Sequence, residues 1–299
     1  MKKILIILVV AFVGLAKAQQ LPEYSQYLIN PFIINPAYAG NTEGIPIMLS
    51  SRNQWLGFEN APSTQVLSAH GVSKNYGLGG LIVNDKWGNF NKIGLQLAYA
   101  YKTKVANNIN LSIGLAGSAF QYSINQSNYN TSDLNDPIIT QTKENTFVPN
   151  ADFGIYSNVT NKWFAGFSVT NIFARTLKFT ANETKENKLV QHYFLNGGYV
   201  FQITDVIALE PSVLLQSTFV SPFMASVNVR AIYKSDYWVG LSYRTAKDIT
   251  LMLGLEYKKF VFGYSFDYTT SQISNYSSGT HEIVLGYIIG SNKTKASIN

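Results

Sequence analysis

Along most of the chain, apolar and polar side chains take turns one residue at a time. From Phe260 to Tyr268, one face carries Phe260, Phe262, Tyr264, Phe266 and Tyr268, and the other Val261, Gly263, Ser265 and Asp267. Ile249, Leu251, Leu253, Leu255 and Tyr257 oppose Thr250, Met252, Gly254 and Glu256 in the same way. Tyr237 to Arg244, Ile93 to Lys102 and Ile109 to Ala116 repeat the pattern. A period of two cannot lay one apolar stripe along a helix, so these segments predict strands. The same reading predicts fourteen: 44–54, 64–73, 77–86, 91–103, 108–120, 149–158, 162–171, 190–203, 206–217, 222–234, 236–245, 248–258, 260–269 and 280–290.

The connections alternate short and long. Lys74 to Tyr76, Val105 to Asn107, Val159 to Asn161, Thr204-Asp205, Ser235 and Lys258-Lys259 are tight, whereas 121–148, 172–189 and 270–279 are long and rich in Asn, Ser and Thr. The link at Ala246-Lys247 belongs to the second set by order but is short. An even strand count with short turns on one side and long loops on the other is the expected plan of a bacterial outer-membrane barrel.

Composition narrows the choice between a barrel and a soluble sandwich. Aromatic residues make up 14% of the chain, with 19 Tyr and 18 Phe, and charged residues only 13%. Soluble domains average about 25% charged. Tyrosines near strand ends, at Tyr99, Tyr101, Tyr257, Tyr268 and Tyr287, suit the interfacial girdle of a membrane barrel. The fold expected is therefore all-β, a transmembrane antiparallel β-barrel of fourteen strands whose apolar face meets outer-membrane lipid.

The ends of the chain are read separately. Lys2 and Lys3, the apolar run Ile4 to Ala16 and the Ala16-Lys17-Ala18 site predict a signal peptide over 1–18, cleaved before Gln19. The run is shorter than the roughly 20 residues of a membrane-spanning helix. Residues 19–43 show no alternation and contain Pro22, Pro31 and Pro36, which predicts a periplasmic or plug segment; 44–290 is the barrel and 291–299 a periplasmic tail. Without Lys2, Lys3 and Lys17 the balance is 20 basic against 17 acidic residues, or +3, which gives no case for nucleic acid.

Chemistry-bearing motifs are sparse. The chain has no cysteine, and its three histidines, His70, His192 and His281, show no metal-ligand spacing. Gly77-Leu78-Gly79-Gly80 and Gly197-Gly198 lack the helix or GK[ST] ending of a phosphate loop, and glycine there fits close packing inside the barrel. A group such as Ser278, His281 and Glu282 can be drawn, but in a serine-rich chain it carries no information. No catalytic residue, metal or cofactor is expected. With the apolar faces outward, Arg52, Lys102, Glu210, Arg230, Arg244, Glu256, Asp267 and Glu282 point into the lumen. Confined charges of mixed sign are expected to pair, with Arg244, Asp267 and Glu282 the preferred cluster.

Several stretches resemble one family. YSQYLINPFIINPAYAG at Tyr24 to Gly40, RNQWLGFENAPST at Arg52 to Thr64, GLGGLIVNDKWG at Gly77 to Gly88, FAGFSVTNI at Phe164 to Ile172, GLSYR at Gly240 to Arg244, and FGYSFDYTTS with GTHEIVLGY between Phe262 and Tyr287 are similar to the PorP/SprF-like membrane proteins of the type IX secretion system. The resemblance reaches Asn35, Pro36, Ala37, Tyr38, Ala39 and Gly40, then Arg52, Gln54, Trp55, Asp85, Gly88, Tyr243, Arg244, Tyr264, Asp267, Tyr268, His281 and Glu282. It implies a non-enzymatic outer-membrane barrel that helps secrete, dock or anchor an adhesin-like surface protein. The implied partners are that protein and periplasmic or outer-membrane secretion subunits. A polar lumen leaves a second expectation, a porin for small solutes or hydrophobic compounds.

Overall fold

The computed structural model describes residues 24–106, 108–125, 143–179, 187–245 and 248–290. The signal peptide expected at 1–18, residues 19–23, the tail 291–299 and the link at Ala246-Lys247 lie outside the described residues.

Fourteen strands form one antiparallel sheet closed on itself. They are β1 (Ile45–Asn53), β2 (Ser63–Ser73), β3 (Tyr76–Trp87), β4 (Phe90–Ala106), β5 (Ile109–Asn125), β6 (Lys143–Val159) and β7 (Trp163–Thr170). The second half comprises β8 (His192–Tyr199, continued by Phe201–Thr204), β9 (Ile207–Ser217), β10 (Met224–Tyr233), β11 (Tyr237–Arg244), β12 (Asp248–Tyr257), β13 (Phe260–Thr269) and β14 (Thr280–Ile289). Each strand pairs with its sequence neighbours. The ring closes where β1 meets β14, with Ile45 opposite Ile289 and Arg52 opposite Glu282. Every strand expected from alternation is present, because closure is the way a sheet can satisfy all its backbone groups in lipid.

The distribution of side chains is that of a membrane barrel. Leu97, Leu115, Val227, Leu241 and Leu251 on the outer wall are 44–61% exposed. Thr250, Ser265, Asp267 and Glu282, pointing inward, are at most 1% exposed. A water-soluble sandwich would bury the first group and expose the second. The girdle tyrosines Tyr99, Tyr101, Tyr257, Tyr268 and Tyr287 all stand on the outer wall, exposed.

Two expectations about loops need correction. β4, β5 and β6 have 17 residues each, against the roughly 9–11 needed to cross a bilayer. Gln121 to Asn125 pairs with Lys143 to Phe147, so the ends of the segment expected as a long loop are strand. Beyond the membrane both faces meet water, no alternation is required, and the sequence carries no period there; residues 126–142 lie outside the described set. The expected loop 172–189 also holds a two-residue pairing, Thr176–Leu177 with Asn187–Lys188. Its Leu177 and Leu189 are buried in one cluster with Phe120, Tyr122 and Val148, so the described ends of this connection pack at the barrel mouth. On the same side, β3 and β4 are joined by Gly88 and Asn89 alone, and Gly88 takes the left-handed φ of +54° that this tight turn needs.

Candidate functional site

The lumen is occupied by the chain's own N-terminal segment, residues 24–41. Its contacts reach strands all round the ring: Tyr27 accepts from Asn228 Nδ2 on β10 (2.8 Å), Asn30 donates to Ser68 on β2 (2.8 Å), and Ser168 on β7 donates to the Ile34 carbonyl (2.6 Å). Phe32, Ala37 and Ala39 are fully buried. Pro31 and Pro36 each start a short 3₁₀ turn, Pro31–Ile33 and Pro36–Tyr38, where the fixed φ of proline suits the first helical position.

Asn35 caps the second turn. Its Oδ1 accepts from the Ala37 N–H (2.9 Å), and its Nδ2 donates to the carbonyls of Ile155 (3.0 Å) on β6 and Phe167 (3.3 Å) on β7. The strands receive the segment in slots that lack a Cβ. A Cβ on Gly77 would stand 2.0 Å from the Ala39 carbonyl oxygen, one on Gly114 2.4 Å from Ala37 N, and one on Gly154 2.0 Å from Asn35 Oδ1. Gly40, at φ +70°, ends the segment with its N–H donating to His70 Nδ1 (3.2 Å). Asn35, Pro36, Ala37, Tyr38, Ala39 and Gly40 are thus the part of the segment that the wall grips.

The pairings of the lumen charges fall in different parts of the ring. In the first, Arg52 Nη2 lies 2.7 Å from Asp267 Oδ2 and Arg52 Nη1 3.2 Å from Glu282 Oε2. Ser25 ties the N-terminal segment into it. Its hydroxyl donates to Asp267 (2.8 Å) and accepts from Arg52 (2.9 Å) and Arg244 (3.3 Å), while its backbone N–H donates to Glu282 (2.8 Å). Arg244 sits nearer Asp248 (3.5 Å) than Asp267 (4.0 Å), so Arg52 rather than Arg244 is the cation for Glu282. The register explains this, since Arg52 and Glu282 are direct cross-strand partners at the closing seam.

Glu210 and Arg230, also direct partners, pair apart from this group at 2.9 Å. Lys102 donates to the Gly40 carbonyl. Glu256 stands half-buried near the short-turn end of β12. A further group escaped the sequence reading, although alternation could have found it: Lys92 and Asp152 face inward with Gln96 and line a cavity of about 60 Å³ with Tyr24 and Asn171. Asp85, directly opposite Lys92, accepts from the Thr64 hydroxyl at 2.6 Å.

The remaining motif residues shape the outer wall and rim. Gln54 and Trp55 open the β1–β2 loop, with the Gln54 N–H on the Pro62 carbonyl (2.9 Å) and the Trp55 N–H on Thr280 Oγ1 (3.1 Å). Tyr264 and His281 share a hydrogen bond of 2.8 Å on the outer face. Consecutive strand residues point to opposite faces, so His281 outside and Glu282 inside cannot act together, and the drawable Ser278, His281, Glu282 group has no geometry.

Residues 16–287 match the family described as type IX secretion system membrane protein PorP/SprF. The chain belongs to this family. Among solved structures, this PorP/SprF protein is similar to the CymD monoaromatic hydrocarbon channel, at 11% identity over 93% of this chain and 96% of that one, with a TM-score of 0.52. The Ralstonia pickettii toluene transporter TbuX is similar at 10% identity over 86% and 92%, TM-score 0.52. A Pseudomonas aeruginosa FadL homologue is similar at 11% identity over 91% and 96%, TM-score 0.51. At such identities the likeness shows the barrel fold alone. No curated protein sequence matches the chain. The PorP/SprF chain is thus a type IX secretion system family membrane protein with the fold of outer-membrane channels.

Proposed function

We propose that this protein is a non-enzymatic component of the outer membrane, reached after signal-peptide cleavage before Gln19, that holds or helps deliver a secreted surface protein. The observation that carries the reading is the lumen closed by residues 24–41. Ser25 is fixed to Arg52, Asp267 and Glu282, and Asn35 to β6 and β7. A barrel filled in this way suits a holder with a closed passage, and membership in a type IX secretion system family supports a role in secretion. Its partners in this reading are a large secreted protein and secretion-system subunits. The group of Arg52, Asp267 and Glu282, together with Lys102, is structural in this reading: it fixes the N-terminal segment in the lumen.

Affinity purification of the full chain from native outer membranes is expected to recover a secreted surface protein or secretion subunits. An unchanged surface proteome on gene deletion would overturn the reading. The channel-like fold favours a second reading, a passage for small solutes or hydrophobic compounds. Planar-bilayer recording separates the two, since stable solute-dependent conductance by the intact chain belongs to the second alone.

A further inference from the structure

The β9–β10 hairpin ends in a loop whose composition does not suit a solvated turn. Residues 218–223 read TFVSPF, and no charged residue stands anywhere from Pro211 to Val229. Phe219 is 78%, Val220 46% and Phe223 58% exposed. Phe219 also holds a left-handed φ of +58°, a conformation that a bulky side chain adopts only under constraint. Clustered apolar side chains left open in this way mark a surface that is covered in use.

The level of the loop selects what covers it. β9 and β10 share ten cross-strand pairs, from Ile207 opposite Tyr233 to Gln216 opposite Met224. At about 3.4 Å per residue and a tilt of 35–45°, ten residues climb roughly 25 Å, the height of the apolar band of a membrane barrel. Tyr233 stands exposed on the outer wall beside Tyr237 at the short-turn end, with ring centroids 6.5 Å apart, as a girdle pair should. The loop therefore begins where the opposite edge of the band is reached. β6, by contrast, continues from Phe153, its last partner on β7, as far as Lys143, so its outer end stands clear of the bilayer.

The loop is also continuous with the lipid wall and fit to leave water. The Phe219 ring lies edge-on to Tyr193, with 4.7 Å between centroids, and Tyr193 faces outward between the inward-facing His192 and Phe194. The backbone donors of the tip are satisfied within the loop. Phe219 N–H donates to Ser217 Oγ (3.2 Å), the Val220 and Ser221 N–H groups donate to Thr218 Oγ1 (3.4 and 3.0 Å), and Pro222 has none. The Thr218 and Ser221 hydroxyls share a hydrogen bond of 2.6 Å. Lipid offers no partner to a backbone donor, so a tip with these groups paired can enter it where an ordinary solvated loop cannot. We infer that residues 219–223 insert into the interfacial layer of the outer leaflet, independently of what the barrel holds. The partner is the bilayer itself, met through its acyl and glycerol region, because the loop has no charge to pair with a headgroup.

A chain without cysteine lets one engineered thiol carry a label. Val220→Cys, Phe223→Cys and, on the β6 extension, Asn145→Cys are each tagged with an environment-sensitive fluorophore. The full mature chain is placed in phosphatidylcholine vesicles bearing a nitroxide on the lipid acyl chain. All variants are first shown to keep the heat-dependent gel mobility of a folded barrel. The labels at 220 and 223 are expected to shift to the blue, to be quenched by the lipid nitroxide, and to lose most of the iodide quenching that the label at 145 shows. Adding Phe219→Ser to the Val220→Cys chain restores iodide quenching. Full iodide quenching at 220 and 223, or lipid quenching that appears only with anionic phosphatidylglycerol, overturns the inference. Shielding that appears only in native outer membranes overturns it in favour of a protein covering the loop.

Discussion

Arg52 and Glu282 face each other across the seam where the first strand meets the last, and the guanidinium reaches Glu282 Oε2 at 3.2 Å while holding Asp267 at 2.7 Å. One cation thereby joins β1, β13 and β14 and, through Ser25, the N-terminal segment. All three charged side chains are at most 3% exposed. Removing Arg52 leaves two desolvated carboxylates without their shared cation. Arg52→Leu is expected to destabilise the barrel by about 3–5 kcal/mol. Adding Asp267→Asn and Glu282→Gln should recover much of that loss, because the uncompensated charge is then gone. Urea unfolding of the barrel in detergent, followed by tryptophan fluorescence, measures both.

Asn35 makes one hydrogen bond within its own turn and two to strand carbonyls. Asn35→Ala should cost about 2–3 kcal/mol in the same unfolding assay, at roughly 1 kcal/mol per bond. Asn35→Asp should cost more. It keeps the acceptor for the Ala37 N–H but sets a carboxylate oxygen against the carbonyls of Ile155 and Phe167.

The slot at Gly114 gives a test of the N-terminal segment that spares the charges. Gly114→Leu places atoms where Ala37 N now lies, 2.4 Å from the Cβ position, and is expected to expel residues 24–41 without opening the sheet. Chymotrypsin cleavage after Phe32 or Tyr38 should then be faster by about tenfold or more, as expected when a protected segment opens locally. Unchanged cleavage with an intact barrel band would mean that the wall does not hold the segment through this slot.

Leu253 faces lipid near the middle of β12, and its neighbour Met252 faces the lumen. Leu253→Arg, near the middle of the strand, should destabilise the folded barrel by about 2–4 kcal/mol. Tyr257→Arg, at the end of the same strand and on the same face, should cost about 0–1 kcal/mol. Equal costs at the two depths, measured by refolding into lipid vesicles, would contradict the assigned orientation of the strand.

Alternation along the chain determined a great deal by itself. It specified fourteen strands, the lipid face and the lumen face of each, and hence which of Arg52, Arg244, Asp267 and Glu282 look inward, because a strand offers only two faces and lipid admits one kind of side chain. The same parity held Lys92 and Asp152, though they went unread. What alternation cannot carry is register and distance. That Glu282 takes Arg52 rather than Arg244 follows from closure of the first strand onto the last, a contact between residues 230 positions apart. What fills the lumen is a segment with no period at all, and that segment's fit rests on glycine slots whose meaning appears only when Asn35, Ala37 and Ala39 stand over them. The strand extensions beyond the membrane were silent for the opposite reason: with water on both sides, nothing there required a pattern.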